Sequence, residues 1–280
     1  MANTTSINSE LFANLVGAAQ FAAYENSIAR QIVTVFDMPA NAGKTVQVPV
    51  WSSITAELIS DESAATAKDT NTGSASITMA EHVVYHRVTD MLRDSSYGDV
   101  MAQIGDQSGR AIAESLDKQV FAEFANFATN VGGAGEELTL DRILRAAATL
   151  RGNKVVGPFY AVVHPGAAYN LKKQLGNAGA ATTPALSNAG NRVLDGFYIG
   201  TVAGVQIFES ALVPTVSTDV INGVFAASAL GHAMRGSIAM QEQYMAKERA
   251  TDVVLTAVAG AAVLQASHGV MIRTEINTAN

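Results

Sequence analysis

Residues able to do chemistry are sparse in this chain, and few stand at a spacing that chemistry uses. His82 and His86, beside Glu81, lie four apart, which on a helix would form the two-histidine face of a metal site. The intervening Val83-Val84-Tyr85 favours a strand. Both imidazoles then still share one strand face, but no third ligand is close in sequence, so an ordinary polar strand face is expected. Gly43-Lys44-Thr45 resembles the tail of a phosphate-binding loop. The first glycine of that motif would fall on Met38, however, and the segment enters a strand-forming run instead of a helix whose N-terminus could face phosphates. Gly132-Gly133-Ala134-Gly135 lacks dinucleotide-binding spacing and follows a helical pattern. There is no Gly-x-Ser-x-Gly elbow and no cysteine, which removes two routes to a nucleophile. Asp61-Glu62 and Glu136-Glu137 read as solvated charge in loops, and His164, before Pro165, as a strand-end residue. The residues therefore predict no catalytic, cofactor-binding or metal-binding position, and no cofactor.

Composition points to assembly. The 280 residues are 48% hydrophobic and only 15% charged, with a mean hydropathy of +0.17. An apolar surface of this kind is expected to be covered by something else. A net charge of −7 with no basic run argues against gripping nucleic acid directly, since phosphate neutralisation needs clustered Lys and Arg. The longest apolar stretch, Val253 to Leu264, is too short to cross a bilayer, so no membrane partner is expected. The first residues lack a basic n-region and an apolar h-region, and with no cysteine the simplest expectation is cytoplasmic synthesis.

The elements that must position these residues follow from periodicity. Leu11, Phe12, Leu15, Val16, Ala19, Ala22 and Ala23 predict an amphipathic helix over Ser9–Arg30. Gln31–Phe36 and Thr45–Trp51 read as a β-hairpin, with Pro49 on an edge. Ser52–Ser76 has almost no large apolar residue and reads as a long polar loop. Ile77–Met91 returns as a strand. After a capping box at Ser96-Tyr-Gly-Asp99, Met101, Ile104, Ile112, Leu116, Val120, Phe124 and Phe127 predict one helix to about Thr129, roughly 45 Å long. Helices from a Thr139 cap to Arg151 and from Pro165 to Leu175 flank a strand at Phe159–His164. Short strands follow at Phe197–Thr201, Val205–Ser210 and Val224–Ala226. The rest, from Ser237, reads mainly as strands, although its Ala-rich middle is compatible with a helix.

This order, an arm, a long polar loop between strands, one long helix, an α/β module and final strands, resembles the major capsid proteins of the Hong Kong 97 type over nearly the whole chain. The similarity is carried by Gly43-Lys-Thr-Val-Gln-Val-Pro-Val, Val88-Thr-Asp-Met-Leu-Arg-Asp-Ser, Ala113-Glu-Ser-Leu-Asp-Lys, Tyr160-Ala-Val-Val-His-Pro and Ile199-Gly-Thr-Val-Ala-Gly-Val-Gln-Ile-Phe-Glu-Ser. It implies an α+β fold with an N-terminal arm (1–51), an E-loop (52–92), a P-domain with a spine helix (93–135), an A-domain (136–236) and returning P-domain strands (237–280). It also implies a structural role in a virion: an icosahedral head of a tailed bacteriophage, built from pentamers and hexamers in the host cytoplasm around double-stranded DNA without tight sequence-specific binding. Because the arm follows Met1 almost at once, a separate scaffolding protein is expected beside a portal and cement proteins. An encapsulin-type nanocompartment shell, which shares the fold, and a small-molecule enzyme are the alternatives.

Some relatives join an E-loop lysine to an asparagine in the late P-domain of a neighbour. Lys68 is the only lysine between Trp51 and Met91 and could play the first part. No asparagine occurs from Gly223 to Ile276, so the second part is missing and a shell without covalent cross-links is expected.

Overall fold

The computed structural model describes residues 19–20, 22, 27–39, 43–51, 56–58, 67, 72–95, 100–179, 201–202 and 204–276. The arm does not run as one helix to Arg30: Ser27 and Ile28 are non-helical, and a single turn, α1 (Ala29–Ile32), begins after them. The cause is a carboxylate 90 residues away. Asp117 accepts the Ser27 hydroxyl at 2.6 Å and the Ile28 and Ala29 amides at 2.9 and 3.3 Å, satisfying donors that a helix start leaves open. Burial pushes the Asp117 carboxyl up, against the downward pull of those three donors. Ala19 and Ala22 of the apolar stripe are buried, while Leu11, Phe12, Leu15, Val16 and Ala23 lie outside the described residues.

The expected hairpin does not form. β1 (Thr34–Met38) pairs in parallel with β11 (Leu230–Met245), whereas β2 (Thr45–Trp51) pairs antiparallel with β3 (Thr72–Thr78), Thr45 opposite Thr78 and Trp51 opposite Thr72. Both runs have the alternation of strands, but alternation does not name a partner. Burial of Met38 with Ala233, Ile77 and Met79 fixes the register instead. Consequently Thr72–Ser76, expected in the polar loop, is strand: its side chains are mostly exposed on a two-stranded ribbon, so no apolar pattern announced it. The expected strand over Ile77–Met91 is also divided. It breaks at Met79, continues as β4 (Ala80–Thr89) and turns into α2 (Asp90–Ser95).

The long helix, α3 (Val100–Ala122), is 23 residues and about 35 Å long. It stops earlier than expected because a 3-10 turn, Glu123–Asn126, places the Phe124 ring 5.4 Å from both Phe121 and Phe225. Phe127 then lies against Gly269, where an added Cβ would meet its ring at 2.3 Å. The capping box at 96–99 lies outside the described residues.

After β5 (Thr129–Asn130), α4 (Leu140–Gly152) starts at Thr139 as expected, but the Thr139 hydroxyl makes no cap. The Gln174 side chain of α5 (Pro165–Gly179) accepts the Leu140 amide at 3.1 Å instead. Those helices cover one face of a seven-stranded sheet ordered β5-β13-β10-β6-β8-β7, with β9 pairing β10. Its strands are β6 (Phe159–Val163), β7 (Thr201–Val202), β8 (Val205–Glu209), β9 (Thr215–Val216), β10 (Asp219–Ala226) and β13 (Gly269–Glu275). β10 is longer than the expected Val224–Ala226 because it is buried along its whole length.

A second sheet, ordered β1-β11-β12-β4, lies under α3. The Ala-rich segment is strand β12 (Ala250–Val263), not helix. Val253, Leu255, Ala257 and Ala259 alternate onto the buried face, and the β-branched residues between them favour the same choice.

Candidate assembly surface

The two-stranded ribbon stands on a base built from small residues. Just before Met79 the chain crosses the far end of β12 at Gly260, where a Cβ would lie 2.4 Å from the Thr78 carbonyl oxygen and 3.0 Å from Ile77. Gly231 of β11 leaves the matching space for Ile77 and Leu264. The Met79 amide donates to the Lys44 carbonyl at 2.9 Å, and Arg235 donates to the carbonyl of Gly43, which has a φ of +79°. From this base the ribbon projects with Val46, Val48 and Val50 half-buried on one face and Gln47, Pro49 and Trp51 exposed on the other. Trp51 at its end is 64% exposed, and Leu58 beyond it is fully exposed. A cleft of about 880 Å³ separates the ribbon end from Asn153, Lys154, Gln265 and His268.

The ribbon base covers one end of the sheet face turned away from α3, and the β4 edge of that face carries exposed side chains. Val83 and Tyr85 of β4 are about half exposed there. Beside them Arg87 holds Asp252 through two bonds of 2.7 and 3.0 Å and also pairs with Glu248. The Arg87 hydrogen bond holds the Asp252 carboxyl below its ordinary range. Tyr244 donates to Asp90 at 3.0 Å, tying the β11–β12 turn to the start of α2. These are large apolar side chains framed by paired charge, with no convergence of reactive groups.

Structural contacts occupy most of the side chains with chemical potential, while the His86 Nε2 is buried without a hydrogen-bond partner among the described residues. Gly43–Thr45 forms the turn into β2, with no helix behind it. His82 is held by Ser115 at 2.7 Å and Gln119 at 3.2 Å, both from α3, and no metal-binding group of three His, Cys, Asp or Glu occurs among the described residues. His164 accepts the Gly166 amide at 3.1 Å on its ring and lends its carbonyl to Ala167 and Ala168, so it begins α5; burial lowers its pKa. Glu136 pairs with Arg142 at 2.6 Å, and Glu137 is exposed. Gly132 is packed at 2.4 Å from the Arg273 carbonyl in an added-Cβ sense, a backbone crossing and not a nucleotide cradle. Asp61, Glu62, Lys68 and Asn277 lie outside the described residues.

The sequence profile of the phage capsid protein family matches residues 74–270. The chain belongs to the phage capsid protein family. Solved capsids share its architecture, the α+β HK97-like fold. The cyanophage P-SCSP1u capsid covers 89% of this chain and 88% of its own at 18% identity, with a TM-score of 0.68. The capsid of Ralstonia phage GP4 covers 88% of each chain at 13% identity, with a TM-score of 0.68. A virus-like particle from Pyrococcus furiosus covers 92% of this chain and 97% of its own at 13% identity, with a TM-score of 0.61. No curated protein sequence matches. This phage capsid protein is thus a structural subunit of the virion, and the encapsulin alternative is not favoured. Among the described residues no helix is long and apolar enough to cross a membrane. Sequence reasoning missed the β2–β3 ribbon's extent and the Asp117 latch; a lone aspartate on the apolar stripe of α3 was the available signal for the latter.

Proposed function

We propose that this major capsid protein closes into an icosahedral phage head of pentamers and hexamers, in which the ribbon of each copy lies on its neighbour. The observation that carries the reading is the ribbon itself: seven paired residues leave the body and end in an exposed tryptophan that nothing in the described part of the chain covers. An exposed strand pair of this kind is ordered and desolvated by a repeated, symmetric contact. Residues 1–51 form the arm, 52–92 the E-loop, 93–135 the spine region, 136–236 the A-domain and 237–280 the returning strands, of which β13 completes the A-domain sheet. Scaffolding, portal and cement proteins are its further partners, assembly takes place in the host cytoplasm, and the chain has no catalytic role. The head encloses double-stranded DNA without a sequence-specific grip. Sedimentation of the purified chain, alone and with a scaffold, tests this: fast-sedimenting shells or rings are expected, and a 29 kDa species under every condition would exclude it.

The shell holds together without covalent links. Asn222, the last asparagine before the returning strands, already donates to Thr274 at 2.8 Å and to the Ile272 carbonyl at 3.3 Å while accepting the His164 amide, so its amide is not presented to a neighbour. An isopeptide bond needs a lysine held at such an amide in a dry site. Boiled particles on a denaturing gel should run as one band near 29 kDa; a detergent-resistant ladder of multiples would contradict this.

A further inference from the structure

The face of β11 that turns toward α3 carries one side chain the packing does not satisfy. His232 is 3% exposed, and neither ring nitrogen has a hydrogen-bond partner among the described residues. A buried polar ring without a partner has lost its water and gained nothing in exchange. It sits where the arm meets the body. Val35 of β1 is its ladder neighbour on one side and Ala261 of β12 on the other. Arg30 of α1 reaches over the same strand, 3.7 Å from the sulfur of Met234, which shares the face of His232. From β4 comes His82, already bound to Ser115 and Gln119 of α3. The acid that α3 brings to the joint, Asp117, is engaged with residues 27–29. Among the described residues no carboxylate pairs with His232.

We propose that His232 makes the joint between the N-terminal arm and the spine helix acid-labile: a proton on its ring puts a buried positive charge near the half-buried Arg30, and residues 27–38 let go. The arm yields first because of how each neighbour is held. β11 is laddered to β12 along nearly its whole length, whereas α1 is a single turn, held by Asp117 and by Ala29 and Ile32 packed with Val120 and Phe121, and β1 is a five-residue edge strand.

The direction follows from linkage. Burial, reinforced by Arg30 and His82, holds His232 down to about 4, against 6.5 for a free ring. Between those values the undocked arm leaves a ring that binds more protons, so docking is complete above about pH 6.5 and weakens as pH falls, by up to about tenfold per unit. Asp117 stands at the same joint, its carboxyl raised by burial and lowered by the Ser27, Ile28 and Ala29 donors of the arm.

The test is hydrogen exchange by mass spectrometry on the full chain from pH 7.5 to 4.5, corrected for intrinsic rates, with β10 as the internal reference. Protection of 27–38 should be lost before that of β10, and His232→Gln should keep it at pH values where the parent chain has opened. Unchanged protection across the range, or the same opening midpoint in His232→Gln, overturns the proposal. Should that variant fail to fold, deuterium uptake at the imidazole C2 position of the parent chain reports the protonation midpoint of His232 directly. Opening of 27–38 that tracks that midpoint supports the proposal, and opening while the ring remains neutral sinks it.

Discussion

Joining Trp51 to Thr72 through a two-residue Asn-Gly turn should give a subunit that folds and does not assemble. The two residues are ladder partners, so a tight type I′ turn can close the ribbon without disturbing its register. The replaced residues, 52–71, supply no member of any core cluster among the described residues, and the base at Gly231, Gly260 and Met79 is untouched. Circular dichroism and the urea midpoint should therefore match the parent. Particle yield should not: losing about 3 kcal/mol from each inter-subunit contact costs about two decades in one association step, and a shell repeats that contact many times. Normal particles would show that the segment is dispensable. A lost fold would show that it belongs to the core.

Gly260→Val is expected to be the most damaging single substitution at the ribbon base. Even its Cβ would stand 2.4 Å from the Thr78 carbonyl oxygen, a backbone atom that cannot turn aside as a side-chain end could. Either β12 or the crossing chain must move, and overpacking of this kind costs roughly 3 kcal/mol. Ile77 of β3, fully buried against the sheet, would be displaced with it, so the ribbon loses its orientation as well as its anchor. The urea midpoint should fall with an unchanged slope, and assembly should fail at temperatures where the subunit is still folded. Gly152→Ala is the control, since a Cβ there meets nothing within 4 Å and should leave both measurements alone. A Gly260→Val chain of parental stability would mean that the crossing at Thr78 is not tight.

Much of this arrangement was legible in the chain because it rests on local patterns. α3 was visible from apolar residues returning every three or four positions, α4 from its start at Thr139, α5 from Pro165 at its first position, and β6 and β8 as short strands beside them. Partner choice was not. β1 pairs with a strand nearly 200 residues later, and no property of Thr34–Met38 names Gly231–Arg235 as its neighbour. Thr72–Ser76 was read as loop for a related reason: this strand of the ribbon is mostly exposed and does not need apolar residues, so it lacks the usual signature. Of the candidate sites, His82 and His164 proved to be satisfied by Ser115, Gln119 and the start of α5, which their spacing could not reveal. Asp117 and His232 left a fainter mark, each a polar residue in the middle of an apolar pattern. What each one faces depends on tertiary packing, and only the fold brings Ser27 to the first and Arg30 near the second.

The central claim is that this chain works by covering its exposed ribbon and sheet face with copies of itself. Electron microscopy of the purified full chain, with and without co-expressed scaffold, tests it most directly. Closed shells with five- and six-fold rings, each ribbon seated on the adjacent subunit, are the result expected. Well-folded single subunits with Trp51 still open to solvent in every preparation would contradict it.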